Sequence, residues 1–553
     1  MTPILAAAFV FSGLTLAADE PPVLPPEALT EPLLVDGQLV FPPGAAIPRS
    51  LTRVEREWLA NNPPIGDRAG GPPPTGPLHC AAEYEPMQAI LLSWNGTSPM
   101  LTIVATMASR ITRYGDAQAW VVVRDTNART SATTALTNAG ADMTKVRFFV
   151  RPVDTIWIRD YGPRYIFQGG CRAIVDHEYN RPRPNDDALP AWLGTQLNHP
   201  VYSIPLRHGG GNYHLDAVDR SYATRLIVNE NPSLSEQTIV DTWHAFQDVD
   251  THLFTPFPTS VDSTQHLDMW MEIIGDDKVM ISDWPSNPGS TQDQICDAAA
   301  EFMSARGYTV FRLPAFSVSG THYTYCNVVT CNNLLLLPTY TNATVQPFNA
   351  AALATWQAAL PGKVIAQVNC QAIVTSAGVM HCIAMHIPRS SGGVNPVAYV
   401  ISPNGGERLL AGEIATIAYA ADDDVGVTGV DIRLSIDGGA TYPTVLAANV
   451  PPVGTFEWTV PALPYSTHAR LRVVASDADA HTQGDDSDGD FTIGQCPADF
   501  NDDGAIDFFD YDEYVRCFEG SACPPGRTPD LSGEGTVGIT DYLLFVEAFE
   551  DGC

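Results

Sequence analysis

From Cys80 to Pro388, short continuous apolar runs alternate with stretches of helical spacing. QAILLSW (88–94) and AWVVVRD (119–125) have the unbroken apolar character of strands buried on both faces. Between them, LTIVATMASRITRYG repeats its apolar residues at helical intervals and stops at Gly115, which predicts a helix. TRLIVN (224–229), DKVMISD (277–283), NLLLLPTY (333–340) and GKVIAQV (362–368) continue the strand series, and AIVTS precedes Gly378 in the same manner. This alternation predicts an α/β domain over residues 76–392. Across 396–495 the period changes to two: Val430, Ile432, Leu434 and Ile436 alternate with polar neighbours before a turn at Asp437-Gly438. FEWTVP and ARLRVVASD alternate likewise, which predicts an all-β sandwich of short strands.

The ends read differently. Residues 19–75 are proline-rich (PPVLPPEALTEPL, FPPGAAIP, GGPPPTGP) and predict an extended segment that runs over a surface or links to an anchor. Residues 1–18 form an apolar stretch closed by Ala17 and Ala18, the shape of a secretory signal peptide without the usual early basic residue. The expectation is a secreted or cell-surface protein.

Residues 496–553 contain a duplicated acidic loop. The first copy places Asp499, Asn501, Asp503 and Asp510 around Gly504, and the second places Asp530, Ser532, Glu534 and Asp541 around Gly535. Oxygen ligands at loop positions 1, 3, 5 and 12 with glycine at 6 suit a wrapped calcium ion, which would stabilise a module with little core of its own. Acidic surface turns without metal are the alternative. Each loop leads into a helical pattern, YDEYVRCF and YLLFVEAF.

A formal net charge of −33 excludes nucleic acid as a natural partner and suits cationic ligands. No internal apolar run is long enough to span a bilayer. The chain has 11 cysteines; if one is a free nucleophile, ten remain to pair in an oxidising compartment, and which of them pair and which are free buried thiols is left open by the sequence.

Four clusters carry candidate chemistry. Trp157-Ile158-Arg159-Asp160-Tyr161-Gly162-Pro163 sets a carboxylate and a large aromatic at an expected strand end. His208-Gly209-Gly210-Gly211-Asn212 allows close backbone approach to a ligand. In Gln265-His266-Leu267-Asp268, an extended backbone would point His266 and Asp268 to one face, as an acid/base pair. Gly378-Val379-Met380-His381-Cys382 offers a thiolate nucleophile, or half of a disulfide.

Together with Glu83-Tyr84-Glu85-Pro86-Met87-Gln88 and Tyr325-Cys326-Asn327-Val328-Val329, these clusters make residues 80–390 resemble the guanidine-modifying penteins. The resemblance is to the group that joins Porphyromonas-type peptidyl-arginine deiminases with agmatine deiminases. It implies a five-bladed α/β-propeller of ββαβ units around a central channel. It also implies Cys382 as nucleophile, Asp160 and Asp268 as guanidinium ligands, His266 as proton carrier, Asn327 as an orienting residue and Trp157 as channel wall. No cofactor is implied for catalysis.

Arg181 and Arg183, with one residue between them, resemble the pair with which the peptidyl-arginine branch grips the α-carboxylate of a C-terminal arginine, the alternative being that they pair with Asp186 and Asp187. The expected partners are arginine-containing peptides or proteins, with citrulline and ammonia as products. Agmatine deimination to N-carbamoylputrescine, amidino transfer, or a non-catalytic secreted scaffold are the alternatives. Residues 396–495 resemble the Ig-like modules of secreted bacterial enzymes, and 496–553 a dockerin-type calcium repeat, for which a cell-surface or cohesin-like partner is the expectation.

Overall fold

A computed structural model describes residues 29–63, 70–461, 463–501 and 503–551. The expected signal peptide at 1–18 lies outside the described residues.

Within residues 78–388, five sheets make a ring, each built on an antiparallel pair that continues into a parallel strand across a helix, and a separate small hairpin joins Phe316–Val318 to Thr321–Tyr323. The first joins Arg164–Gln168 antiparallel to Cys171–Tyr179 and that strand parallel to Val201–His208. The same scheme repeats in Tyr213–Leu215, Arg220–Thr224 and Asp250–Phe254. It recurs in Met271–Gly275, Lys278–Asp283 and Thr309–Pro314, then in Val329–Cys331, Leu334–Thr339 and Val364–Asn369. The fifth sheet takes its first strand, Ala384–Pro388, from the end of the region and pairs it with Met87–Ser93 from the beginning. The ring is thereby closed by its own two ends.

Met87–Ser93 is buried along its whole length, as its unbroken apolar run requires. The helix Ser98–Tyr114 that follows buries Ile103, Val104, Met107 and Ile111 at helical spacing.

Two expected strands are not strands. TRLIVN begins at the end of Arg220–Thr224 and then turns into the short helix Leu226–Glu230. AIVTS is a turn, with Val374–Ser376 in one 3₁₀ loop. Short apolar runs do not distinguish strand from buried turn, and both segments bury isoleucine or valine without a ladder partner.

Residues 397–494 form two facing sheets, with Val400, Ile417, Val430, Ile432, Leu434, Leu471, Val473 and Phe491 between them. This sandwich is tied to the ring by Arg172, whose Nε is 2.8 Å from Asp422 Oδ2 and whose Nη1 is 2.7 Å from Gln88 Oε1. Residues 508–518 and 539–551 are the two helices expected at the C-terminal end, packed through Tyr514 and Phe545.

Of the two fates open to the cysteines, most of those in the ring take the unpaired one. Cys80, Cys171, Cys296, Cys326, Cys331 and Cys370 are buried free thiols, each an apolar core residue, alongside free Cys382. Cys517–Cys523 in the C-terminal module is a disulfide.

The proline-rich N-terminal segment also departs from expectation. It carries the hairpin Leu33–Val35/Gln38–Val40 and the helix Arg53–Asn61, whose start is a capping box between Thr52 and Glu55. Between hairpin and helix the chain dives into the ring.

Candidate active site

The first strand of every sheet is entered from the same end of the ring, and each preceding loop delivers one site residue. Asp160 lies in the turn of helix Ile158–Tyr161 ahead of Arg164, and Gly211 just ahead of Tyr213. Asp268 precedes Met271, Asn327 precedes Val329, and Cys382 precedes Ala384. Five sheets arranged as a ring therefore bring five distant sequence positions to one point. His266 and Asp268 reach it from a 3₁₀ turn at Leu267–Met269 rather than from an extended strand. Trp157 and Asp160 likewise flank a helical turn rather than a strand end.

The point of convergence holds a guanidinium supplied by the chain itself. Arg49 Nε and Nη2 donate to Asp160 Oδ2 and Oδ1 at 2.8 and 2.7 Å, and Nη1 and Nη2 donate to Asp268 Oδ1 and Oδ2 at 3.0 Å each. These are two forked carboxylate–guanidinium pairs, the geometry that a planar five-donor cation favours. Nη1 also donates to Cys382 Sγ at 2.7 Å, and Nη2 lies 2.7 Å from His266 Nδ1. Arg49, His266, Asp268, Asn327 and Cys382 are 0% exposed.

Asn327 Nδ2 and the Val379 backbone N–H each lie 3.3 Å from the Cys382 sulfur, two donors that stabilise a thiolate. Burial pushes the Cys382 thiol well above its ordinary range; Arg49 acts against that rise, and Asp268 and Asp160 add to it. Burial would also raise both carboxyls. The Arg49 guanidinium instead holds Asp160 and Asp268 below their ordinary range, helped by His266 at the first and His381 at the second.

The glycine loop is part of the site. Gly211 N–H donates to Asp160 Oδ1 at 3.2 Å, and a Cβ there would stand 1.9 Å from Arg49 Nη2. A Cβ at Gly378 would fall 2.5 Å from Trp157 and 3.2 Å from Arg49 Cδ, so this glycine leaves the width through which an arginine stem passes. Trp157 Nε1 donates to the Ile47 carbonyl at 2.9 Å.

The two expected clamp arginines separate. Arg181 Nε donates to the Arg49 carbonyl at 3.3 Å. Arg183 is fully buried against Glu55 at 2.7 Å and donates to the Pro48 carbonyl at 2.9 Å. Asp186 and Asp187 take other donors, the backbone N–H of Asp154 and of Tyr179.

Arg49 carries no sequence signal, and Glu55 only the Thr52-x-x-Glu55 capping-box pattern that opens its helix. Sequence reasoning also passed over the work of Glu83 and His381. His381 Nδ1 is 2.9 Å from Asp268 Oδ2, its Nε2 is 3.0 Å from Glu83 Oε2, and Glu83 Oε1 accepts from Arg159 at 2.7 Å. Both lay in motifs whose neighbours drew attention first.

A sequence model of the Porphyromonas-type peptidyl-arginine deiminase family matches residues 79–388. The chain belongs to this family. It is a guanidine-modifying deiminase, a hydrolase of amidine C–N bonds. A Streptomyces coelicolor protein provisionally named agmatine deiminase is 24% identical over 342 residues, 56% of this deiminase and 98% of the relative. The crystal structure of a Porphyromonas gingivalis protein provisionally named arginine deiminase superposes with a TM-score of 0.50 at 19% identity, covering 57% of this chain and 99% of that one. A Cys-to-Ser agmatine deiminase of C. jejuni, solved with substrate bound, gives 0.50 at 16% identity, covering 57% and 97%. These structures share the pentein fold with the deiminase.

Proposed function

We propose that the deiminase acts on arginine at the C-terminus of peptides, releasing ammonia and leaving citrulline. The observation that carries this reading is the contact between Arg181 Nε and the carbonyl of the arginine seated in the site. A C-terminal arginine seated the same way would present its α-carboxylate to Arg181, a charge-assisted bond that agmatine has no group to make.

The chemistry follows from the side chains. Asp160 and Asp268 fix the planar guanidinium, and the Cys382 thiolate attacks its central carbon. The tetrahedral adduct loses one amine as ammonia with a proton from His266, leaving a thiouronium on sulfur. His266 then draws a proton from water, whose oxygen displaces the sulfur and yields the ureido product. Every step runs through side chains and water.

We extend the proposal to the flanking regions. The leader-like pattern of residues 1–18 and the Cys517–Cys523 disulfide support export to an oxidising compartment. The sandwich at 397–494 supports an Ig-like reading. For structural calcium at the C-terminal loops, the support is the loop geometry. Asp499 accepts from Gly504 N–H and Asp510 from Asn501 N–H; Asp530 and Asp541 do the same for Gly535 and Ser532. Asp503 and Glu534 complete the oxygen sets. A surface or cohesin-like partner for this module is part of the same proposal.

The test is ammonia and citrulline release by the full chain and by its Arg49→Ala variant. The substrates are a peptide ending in arginine, its C-terminal amide, free arginine and agmatine, with Cys382→Ala as control. Turnover of the free-acid peptide that is lost on amidation supports the reading. Turnover of agmatine alone overturns the substrate while keeping the mechanism.

A further inference from the structure

The segment that carries Arg49 is held by a set of contacts whose combined effect is to deliver one guanidinium. The Arg49 N–H donates to the Ser376 carbonyl at 3.0 Å, and its own carbonyl accepts from Arg181. On either side, the carbonyls of Ile47 and Pro48 accept from Trp157 and Arg183. Pro48 holds Ile47 in extended backbone. Downstream, the capped helix places Glu55 so that its carboxylate meets Arg183 with both side chains at 0% exposure. Burial works to raise the Glu55 carboxyl, yet Arg183 holds it below its ordinary range, so the tether is an ion pair at neutral pH.

We propose that Arg49 is a modification site of the enzyme itself: held in cis in the guanidinium site, it is deiminated by Cys382 to citrulline, and the conversion opens the site to other substrates. The inference rests on the cysteine chemistry proposed above. In its guanidinium Arg49 is placed as a substrate would be, although it offers Arg181 a peptide carbonyl where a C-terminal arginine offers a carboxylate. Both carboxylates fork onto it, the sulfur lies 2.7 Å from one terminal nitrogen, and His266 lies 2.7 Å from the other.

The balance is that of any arginine. A bond forms between Cys382 Sγ and the Arg49 guanidinium carbon, the bond from that carbon to one terminal nitrogen breaks, and ammonia leaves with a proton from His266. Water then adds its oxygen to the same carbon and the carbon–sulfur bond breaks. One water is consumed, one ammonium is released, and a neutral ureido group replaces the cation. No oxidant, reductant or further reactant enters.

The product is held worse than the reactant. Citrulline cannot neutralise Asp160 and Asp268, and two buried carboxylates without a cation are strongly unfavourable. The ureido carbonyl would also point an acceptor at one of those carboxylates. Loss of the charge therefore favours withdrawal of residues 45–50, which uncovers Cys382 and frees the Arg181 donor for an incoming carboxylate.

The experiment is peptide-mapping mass spectrometry of the purified full chain, with Cys382→Ala, Arg49→Ala and Arg49→Lys variants. Turnover of an external arginine peptide is followed in parallel. The expected result is citrulline at position 49 in the wild type, approaching one per chain, at a rate independent of protein concentration. Cys382→Ala keeps arginine there even when active wild-type enzyme is added in trans. Arg49→Lys shows no mass change at that position. External turnover in the wild type follows conversion of Arg49 with a lag, and Arg49→Ala shows no lag. Should Cys382→Ala fail to fold, Cys382→Ser carries the same control.

Wild-type enzyme that turns over the external peptide while Arg49 remains arginine would overturn the inference and leave the proposed function standing. Turnover by Arg49→Ala but not by the wild type, with Arg49 intact, would also overturn it, making Arg49 a blocker and not a substrate. Silence of every variant on every guanidine would defeat the function as well.

Discussion

His381 Nε2 lies 3.0 Å from Glu83 Oε2, while the opposite nitrogen of the same ring lies 2.9 Å from Asp268 Oδ2. One imidazole thus fixes a guanidinium-binding carboxylate to a residue just ahead of the strand that closes the ring. Burial works to raise the Glu83 carboxyl, but Arg159 foremost, with His381, holds it well below its ordinary range, so it is an anion at the pH of catalysis.

Glu83→Gln is accordingly expected to misplace Asp268 without touching substrate. A displacement of this kind costs about 100-fold in rate. We expect that loss in kcat, with KM nearly unchanged and a displaced kcat pH profile. Unchanged kcat beside a lowered melting temperature would show Glu83 to be structural only.

Gly211→Ala places a methyl group 1.9 Å from the guanidinium nitrogen and 2.7 Å from Asp268 Oδ2. Because the crowded atoms belong to the site, we expect kcat/KM to fall roughly tenfold to hundredfold, in line with overpacking costs of about 1–3 kcal/mol. The melting temperature should fall as well, because in the folded chain the crowded nitrogen is that of Arg49. Full activity in this variant would rule out the guanidinium placement.

The Cys382 thiol is raised by burial, and the Arg49 guanidinium is the cation that works against that rise. In Arg49→Ala that cation is gone. Alkylation of Cys382 by a neutral reagent should then be slow at neutral pH and quicken as pH rises past the ordinary thiol value of about 8.5. A bound guanidine that does not react should shift the rise to lower pH. A rate that is flat from neutral pH upward would contradict the assignment of burial as the dominant influence.

Burial holds His214 and His386 neutral down to about 3. The unfolded chain takes up those protons near 6.5. Their folded values lie below the unfolded ones, so the stability linked to them is complete above about 6.5 and is lost as pH falls from there towards 3. The depressed carboxyls of Asp160 and Glu83 add their own loss only below about 4. Melting temperature should therefore begin to fall well before carboxylates titrate, and a flat profile between about pH 6.5 and 4.5 would refute the histidine contribution.

Arg172→Ala removes the cation that faces Asp422 across the junction of ring and sandwich, both side chains being 2% exposed. Breaking a buried pair leaves an uncompensated charge and costs about 3–5 kcal/mol. We expect calorimetry to resolve separate transitions for the two regions in the variant. An unchanged thermogram would show that the junction carries no coupling.

Much of this architecture was legible in residues alone. QAILLSW and AWVVVRD are strands because no polar residue interrupts their apolar runs. Asp160, His266, Asp268 and Cys382 stand out because their motifs are chemically unusual, Asn327 comes only with the family resemblance, and the fold brings all five together. TRLIVN and AIVTS misled because four or five apolar residues suit a buried turn as well as a strand. The pairing of the cysteines stayed open because an odd count says nothing about where thiols lie. Arg49 gave no signal at all. One arginine after Ile-Pro has no period and no motif, and its meaning comes only from chain-distant carboxylates to which the ring gives a common focus.

The pairing of Ala384–Pro388 with Met87–Ser93 also sets an order of events. The carboxylates and His266 belong to sheets that can form while the last strand is still unplaced. The sulfur stands two residues ahead of that strand and reaches the focus only when the ring shuts. An incomplete chain therefore lacks both the sulfur and the His381 ring that fixes Asp268, and reactivity arrives with the final stitch of folding.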